Sequence, residues 1–174
     1  KKTMEWGITA LKSIIATEHA AARNEKPAKM QRVDTQYAEA LSTYHEVFKN
    51  FCEGESAPAK APVPDDLERR MIDIKGAGFF LDASQIGICE ISDACWYAGA
   101  VTKPHTHAIV VLAKYSRLPE SDNLAHNWLK GSLHQTAEMR AFEVTIGIAN
   151  HIRMMGFNAV GYDDENEEVD VDRL

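Results

Sequence analysis

The chain contains 174 residues, of which 45% are hydrophobic and 26% charged, a composition typical of a globular domain with a sizeable core. Its net charge of −7 is local, because residues 163–172 hold seven acidic residues and no basic one, while the other 19 acidic residues balance 19 basic ones. Since a nucleic-acid-binding surface needs a basic stripe, this distribution argues against a nucleic-acid partner.

Export, membrane and disulfide signals are weak in this sequence. No apolar stretch reaches the ~20 residues that a membrane-spanning helix needs. No signal peptide or twin-arginine segment is visible from Lys1 onward, which favours a cytoplasmic location, although a leader removed before Lys1 stays open. Three cysteines, Cys52, Cys89 and Cys95, are too few for a disulfide framework and match no zinc or iron–sulfur spacing, so we interpret them as small buried side chains.

The first third of the chain is predicted to be helical. Apolar residues recur at three- and four-residue steps over residues 3–23 and again over residues 34–52, which predicts two amphipathic helices. A turn around Pro27 would allow the two helices to form a hairpin. We therefore expect an N-terminal helical region over residues 1–52.

A boundary is predicted immediately after this region. Residues 53–64, "EGESAPAKAPVP", contain three of the six prolines of the chain. Such a composition is typical of an extended linker exposed to solvent. Residues 65–174 then form the expected αβ region.

The αβ region is predicted to begin with a short helix. Asp65 or Asp66 is a suitable N-cap for the sequence "LERRMIDIK", and we expect Gly76 and Gly78 to end the helix.

Three strands are predicted after this helix. Phe79 to Leu81 and Gln85 to Ile91 have strand-like composition. Residues 106–116, "THAIVVLAKYS", form a nearly continuous apolar run, which predicts a strand buried on both faces.

A long helix is the clearest prediction from the sequence. It extends from Leu124 to Met155, with an N-cap among residues 121–123, and Gly131 weakens it slightly. Gly156 is a good residue to end it in a Schellman turn, and residues 158–163 would then form the last strand. The element order predicts an α+β fold, with a sheet packed against the long helix.

Two histidine pairs are candidate metal ligands. His105 and His107 alternate at the start of a predicted strand, which places them on one face. His134 and Glu138 lie one helical turn apart and can share a metal ion or form an ion pair. Neither pair has the partners in sequence that would complete a metal site, so we assign none.

Aromatic residues are the candidate pocket wall. Phe79, Phe80, Trp96 and Tyr97 can line a ligand pocket or cover the edge of the sheet. The acidic run after Tyr162 lacks the ligand order of an EF-hand, and we interpret it as a solvated loop. The sequence contains no phosphate-binding glycine loop, nucleophile elbow or iron–sulfur cysteine run, so we assign no catalytic residue.

The segments "KGAGFFLDASQIGICEISDACWYAG", "THAIVVLAKYS" and "ANHIRMMGFNAVGYDD" together resemble corrinoid-dependent reductive dehalogenases. These enzymes are relatives of epoxyqueuosine reductase and of nitroreductase-like cobalamin-processing proteins. The resemblance covers about residues 65–174. It implies a nitroreductase-like sheet that holds cobalamin, two [4Fe-4S] iron–sulfur clusters that deliver electrons to it, and an organohalide substrate.

The resemblance also implies that the catalytic tyrosine, the cluster cysteines and most corrinoid contacts lie downstream of this sequence. We therefore expect the chain to be the N-terminal, non-catalytic portion of such an enzyme. Its expected partners are the rest of the same polypeptide and an electron-donating redox partner or domain, and the sequence leaves a homodimer open. Two alternatives stay open: a stand-alone module that binds a partner or a small ligand, and part of an epoxyqueuosine-reductase-like enzyme.

Overall fold

The computed structural model describes residues 36–101 and 103–174. The predicted helix over residues 3–23, and hence the predicted hairpin, lies outside the described residues. The described elements are the helices α1 (Gln36–Lys49), α2 (Leu67–Phe80), α3 (Leu124–Leu129) and α4 (Leu133–Met154) and the strands β1 (Gln85–Glu90) and β2 (His107–Leu112). Helices and a small antiparallel sheet in one chain confirm the α+β class.

Helix α1 packs on α4 through one face. Ala38 and His45, seven residues apart, are its buried side chains, as expected for a helix with a single covered stripe. The His45 ring lies 4.7 Å from the ring of Phe142 on α4. Residues 50–52 then form a turn, so the helix predicted over residues 34–52 is confirmed over its central part.

The proline-containing segment 53–64 has neither helix nor strand, and most of its residues are exposed. It nevertheless follows the C-terminal end of α4 closely. The amide of Ala57 donates to the carbonyl of Arg153 at 2.8 Å, and the amide of Ala61 donates to the carbonyl of Met155 at 2.9 Å. These bonds hold the segment against the long helix.

Helix α2 is longer than predicted. Asp66, one of the two residues expected to cap this helix, is its N-cap and accepts a hydrogen bond from the amide of Glu68 at 2.9 Å. The expected stop at Gly76 and Gly78 is wrong, because both glycines are helical and the helix continues to Phe80.

Gly78 has a packing role within α2. A Cβ atom there would collide with the Ile86 side chain and lie 3.2 Å from Cδ1 of Ile148. The missing side chain therefore lets α2 approach β1 and α4, and the predicted strand from Phe79 to Leu81 does not form.

The described sheet has two antiparallel strands. β1 pairs with β2 in a register that places Ile88 opposite Ile109. β1 lies against α2, and β2 lies against α4. The strand predicted over residues 106–116 is shorter than expected, and it is half-buried and not enclosed on both faces, because helices cover one side of the sheet.

The long helix is interrupted once. Asn123 caps α3 by accepting from the amide of Ala125 at 2.9 Å. A tight turn over Lys130–Ser132, which contains Gly131, separates α3 from α4. The single helix predicted from Leu124 to Met155 is therefore two helices.

The predicted Schellman turn at the end of α4 is confirmed. Gly156 has φ +83°, its amide donates to the carbonyl of Arg153 at 2.9 Å, and the amide of Phe157 donates to the carbonyl of Ile152 at 3.2 Å.

The core lies where the sheet meets α4. Ala83, Ile86, Val144 and Ile148 form a buried cluster, and partly buried side chains surround it: Ile74, Ile109, Val111 and Ile152. None of the helices in the described ranges is long and apolar enough to cross a membrane.

The strand predicted over residues 158–163 is wrong. The segment is extended, but the amide of Gly161 donates to the carbonyl of Cys52 at 2.8 Å and not to a strand. Further on, Val169 forms an isolated antiparallel bridge with Trp96. Residues 158–163 therefore contact the end of α1 and do not extend the sheet.

Candidate functional site

The C-terminal end of α2 presents two aromatic side chains to solvent. Phe79 is 53% exposed and Phe80 is 89% exposed. On the opposite side of this helix end, Gly78 packs against the core. The side chains of Phe79 and Phe80 therefore point outward. Two adjacent aromatic side chains that are largely exposed form an apolar patch, and such patches are typical of contact sites.

A groove begins at Leu81, the residue that follows this aromatic pair. It has a volume of about 320 Å³ and is lined by Leu81, Asp82, Arg140, Glu143 and Val144. An Asp82 carboxylate oxygen lies 3.8 Å from a guanidinium nitrogen of Arg140. The groove thus combines apolar side chains with acidic and basic ones. Its volume is at the low end of the size range of small-ligand pockets.

Trp96 and Tyr97 lie on a different part of the surface. They follow a tight turn over Asp93–Cys95, and the amide of Tyr97 donates to the carbonyl of Glu168 at 3.0 Å. Burial, with the nearby negative charge of Asp170, raises the pKa of Tyr97 to about 12. These two aromatic residues therefore contact the C-terminal tail, and the four predicted wall residues lie on two separate elements.

The acidic tail returns to the helices at two charged clusters. In the first, Nζ of Lys49 lies 2.8 Å from Glu165 and 2.9 Å from Glu46. Burial lowers the pKa of Lys49, but these two hydrogen bonds outweigh it and raise the pKa above its ordinary value. Nε2 of His45 lies 3.4 Å from Oδ2 of Asp163, which is also 3.8 Å from Lys49 Nζ. We call this set the lysine cluster.

The second cluster contains His134, Glu138 and Asp164, and we call it the histidine cluster. Nε2 of His134 contacts Oε1 of Glu138, which confirms the predicted pairing one helical turn apart. The hydrogen bond to Glu138 raises the pKa of His134, against the opposing effect of burial. Loss of water around the Asp164 carboxyl and its hydrogen bond with Glu138 raise the pKa of Asp164 to about 7.

The other histidine pair is not part of a cluster. His107 begins β2 and is exposed, and its Nδ1 lies 2.9 Å from Oγ1 of Thr106. Neither His105 nor His107 belongs to a set of three potential metal ligands in the part of the chain that the structure describes.

The three cysteines are free thiols, and the prediction that they are buried holds for Cys95 alone. Cys95 is buried, and Cys52 and Cys89 are half-buried. The thiols of Cys89 and Cys95 donate to the carbonyls of Leu174 and Arg173, each at 3.4 Å. An all-cysteine [4Fe-4S] cluster needs four thiolates, and the whole sequence contains three cysteines, so these residues do not fit such a cluster.

Sequence reasoning missed the role of the acidic tail. Asp163, Asp164 and Glu165 were interpreted as part of a solvated loop, yet the Asp163 side chain is only 8% exposed. The spacing of the acidic residues in the sequence does not predict that the tail packs against the helices. This placement comes from the partners on α1 and α4, which lie far away in the sequence.

No protein-family model and no curated protein matches this chain. Solved structures do match it. A variant of the catabolic reductive dehalogenase NpRdhA is 30% identical, with a TM-score of 0.74, over 84% of this chain and 20% of that enzyme. A reductive dehalogenase structure that suggests a mechanism for B12-dependent dehalogenation is 28% identical, with a TM-score of 0.71, over 86% of this chain and 22% of that protein.

A third matching structure is NpRdhA in complex with 3-bromo-4-hydroxybenzoic acid, at 28% identity and a TM-score of 0.71. In each case the chain spans about a fifth of the length of the enzyme that it matches. In both sequence and fold, the chain is therefore similar to a limited part of B12-dependent reductive dehalogenases.

Proposed function

We propose that this chain is the N-terminal, non-catalytic portion of a reductive dehalogenase. In this proposal, the complete enzyme removes halide from an organohalide with reduced cobalamin, which receives electrons from two [4Fe-4S] clusters. The carrying observation is the match to reductive dehalogenases at 28–30% identity over 84–86% of this chain.

The open edges of the sheet support a scaffolding role. Within the described ranges β1 pairs with β2 alone, so each strand has an outer edge that pairs with no other strand there. Two-stranded sheets are marginally stable in isolation, and open edges tend to recruit further strands. In the proposal, the remainder of the polypeptide adds strands here to complete a nitroreductase-like sheet.

The exposed aromatic end of α2 supports the same role. Phe80 is 89% exposed and Leu67, at the other end of the helix, is 73% exposed. In the proposal, the remainder of the enzyme covers this surface, and Phe79, Phe80, Trp96 and Tyr97 contribute to the walls of a pocket whose reactive groups come from elsewhere.

The cofactors belong to the rest of the enzyme in this proposal. Three cysteines do not hold two [4Fe-4S] clusters. The groove of about 320 Å³ next to Leu81 is at the low end of small-ligand pockets and does not fit a corrinoid. This chain's own residues supply packing surfaces and no reacting group.

The test compares the 174-residue chain with the polypeptide encoded by its complete reading frame. Both are incubated anaerobically with cobalamin, a low-potential reductant and 3-bromo-4-hydroxybenzoic acid, and bromide release is measured. We expect the complete polypeptide to show corrinoid and iron–sulfur absorption and to release bromide, and the 174-residue chain to do neither. Tight cobalamin binding with bromide release by the 174-residue chain would contradict the proposal.

The same experiment separates the two alternatives. A complete polypeptide with both cofactors that acts on epoxyqueuosine and not on the bromophenol would identify the related reductase. A polypeptide with neither cofactor would favour a stand-alone interaction or ligand-binding module. The cytoplasmic location, the electron donor and a homodimer stay predictions.

A further inference from the structure

Helix α1 carries a second apolar stripe on the side that faces away from α4. Its inner side is marked by Ala38 and His45, which are buried. Val47 follows Ala38 by nine residues, which at about 100° per residue places the two side chains on opposite sides of the helix. Apolar residues at steps of four, three and four residues line this outer side. We call them the outer stripe: Ala40, Tyr44, Val47 and, in the turn after the helix, Phe51.

The outer stripe is about half covered. Tyr44 is 47% exposed, Val47 is 51% exposed and Phe51 is 53% exposed. The Phe48 ring packs edge-on against Tyr44, with 4.9 Å between the ring centroids, and widens the apolar surface. Because the other side of α1 already covers α4, this second stripe is a surface on which a further helix can pack.

The chain before α1 contains a matching series of apolar residues. Four of them repeat the steps of the outer stripe, again four, three and four residues: Met4, Ile8, Leu11 and Ile15. Steps of three and four keep the apolar side chains of two packed helices turned toward each other along their length. The agreement in spacing favours the segment over residues 3–23 as the occupant of the stripe.

The connection between this segment and α1 is long enough for the two to pack together. Residues 24–35 lead directly to Gln36, the first residue of α1. Twelve residues span up to about 40 Å when extended, whereas the 14 residues of α1 are about 21 Å long. The segment can therefore return along the whole of α1, and the tether keeps its effective concentration at the stripe high.

The charge of the chain favours the same occupant over a second copy. Residues 1–35 contain seven basic and four acidic residues, whereas residues 36–174 contain 12 basic and 22 acidic ones. The first segment is therefore positive and the rest of the chain negative, so the two attract each other. Two copies of the acidic part would repel each other.

We propose that residues 3–23 dock on the outer stripe of α1 within the same chain. In this arrangement the apolar side chains of the segment cover Tyr44, Val47 and Phe51, and α1 lies between the segment and α4. The docking uses residues of this chain alone, so it is independent of the proposed dehalogenase function.

Hydrogen exchange of the 174-residue chain, followed by mass spectrometry, tests the docking. We expect the amides of residues 3–23 to be protected, and the protection to persist on dilution, because the contact lies within one chain. Val47→Asp places a charge in the apolar contact and is expected to abolish this protection, while exchange within α4 stays slow. Leu67→Asp is the matched control: Leu67 is an apolar residue, 73% exposed, at the start of α2, and its replacement should leave residues 3–23 protected.

Each other outcome decides against the proposal. Fast exchange throughout residues 3–23 of the unsubstituted chain overturns it, as does protection that survives Val47→Asp. Protection that disappears on dilution assigns the stripe to a second copy instead. If the Val47→Asp chain fails to fold, nuclear Overhauser contacts between the methyl groups of Leu11 and Val47 in the unsubstituted chain decide: their presence supports the docking, and their absence refutes it.

Discussion

The guanidinium of Arg153 donates a hydrogen bond at 3.1 Å to the carbonyl oxygen of Cys52, which lies 101 residues earlier in the chain. The same group donates to Phe51 at 2.8 Å and to Ala159 at 2.9 Å. Arg153 is only 3% exposed, so these main-chain carbonyls replace the water that its charge loses on folding. One side chain thereby joins the end of α1, the end of α4 and the tail.

Replacing Arg153 is expected to destabilise the fold strongly. Arg153→Ala removes three hydrogen bonds to a charged group and leaves buried carbonyls without donors, for which we expect a loss of about 3 kcal/mol or more in the free energy of unfolding. Urea denaturation measures this loss. Arg117→Ala is the matched control, because its side chain is 91% exposed and its loss is expected to stay within about 0.5 kcal/mol. Equal stability of the two variants would refute the role given to Arg153.

Two glycine substitutions are expected to have opposite effects. Gly156 has φ +83°, and a Cβ atom there would lie 2.5 Å from the carbonyl oxygen of Ala59. Gly156→Ala therefore costs about 1 kcal/mol from the backbone alone, and more from the collision. Gly76 lies within α2, and a Cβ atom there would meet nothing within 4 Å, so Gly76→Ala is expected to stabilise by about 0.5–1 kcal/mol. Thermal unfolding of both variants tests the pair, and a stable Gly156→Ala chain would contradict it.

The histidine cluster predicts a pH dependence of the stability of the chain. The pKa of Asp164 is raised from 3.8 to about 7, so between these values the folded chain retains a proton that the unfolded chain releases. This carboxyl therefore lowers the stability as pH rises from about 4 to about 7. The raised pKa of His134 acts in the same direction: its favourable contribution is present below its ordinary value of 6.5 and is lost as pH rises through the higher folded value.

Denaturation of the unsubstituted chain and of Asp164→Asn across this pH range isolates the effect. We expect the unsubstituted chain to lose stability relative to the variant as pH rises. Glu120→Gln, at an exposed position, is the control and should follow the unsubstituted chain. Parallel curves for Asp164→Asn and the unsubstituted chain would exclude the raised pKa.

The two phenylalanines Phe142 and Phe80 are expected to behave as core and contact residues. Phe142 is 3% exposed, and Phe142→Ala should cost about 3–5 kcal/mol. Phe80 is 89% exposed, and Phe80→Ser should leave stability within about 0.5 kcal/mol while reducing self-association of the isolated chain. Sedimentation velocity measures the association. A Phe80→Ser chain that unfolds at lower denaturant would place Phe80 in the core instead.

Sequence periodicity identified the elements that depend on local interactions. The Schellman turn formed at Gly156 as predicted, and the helix caps formed at Asp66 and Asn123, each within the set of residues predicted for it. Caps are predictable because they involve groups only a few residues apart. The glycines of α2 were misinterpreted, since a helix tolerates Gly78 when a neighbouring element needs close approach. Residues 158–163 have strand-like composition, but hydrogen bonds with Cys52 and Arg153 hold them at the ends of α1 and α4.

By itself, the sequence determined the class of the fold, the approximate positions of α1, β1, β2 and the α3–α4 segment, and a resemblance to reductive dehalogenases. Only the tertiary structure decided that the acidic tail returns to α1 and α4, where Lys49 and His134 meet its carboxylates. The physical reason is the distance along the chain between the groups that interact. Helix caps and periodic apolar stripes are encoded within a few residues, whereas the pairing of Lys49 with Glu165, 116 residues further along the chain, depends on how the core brings distant segments together.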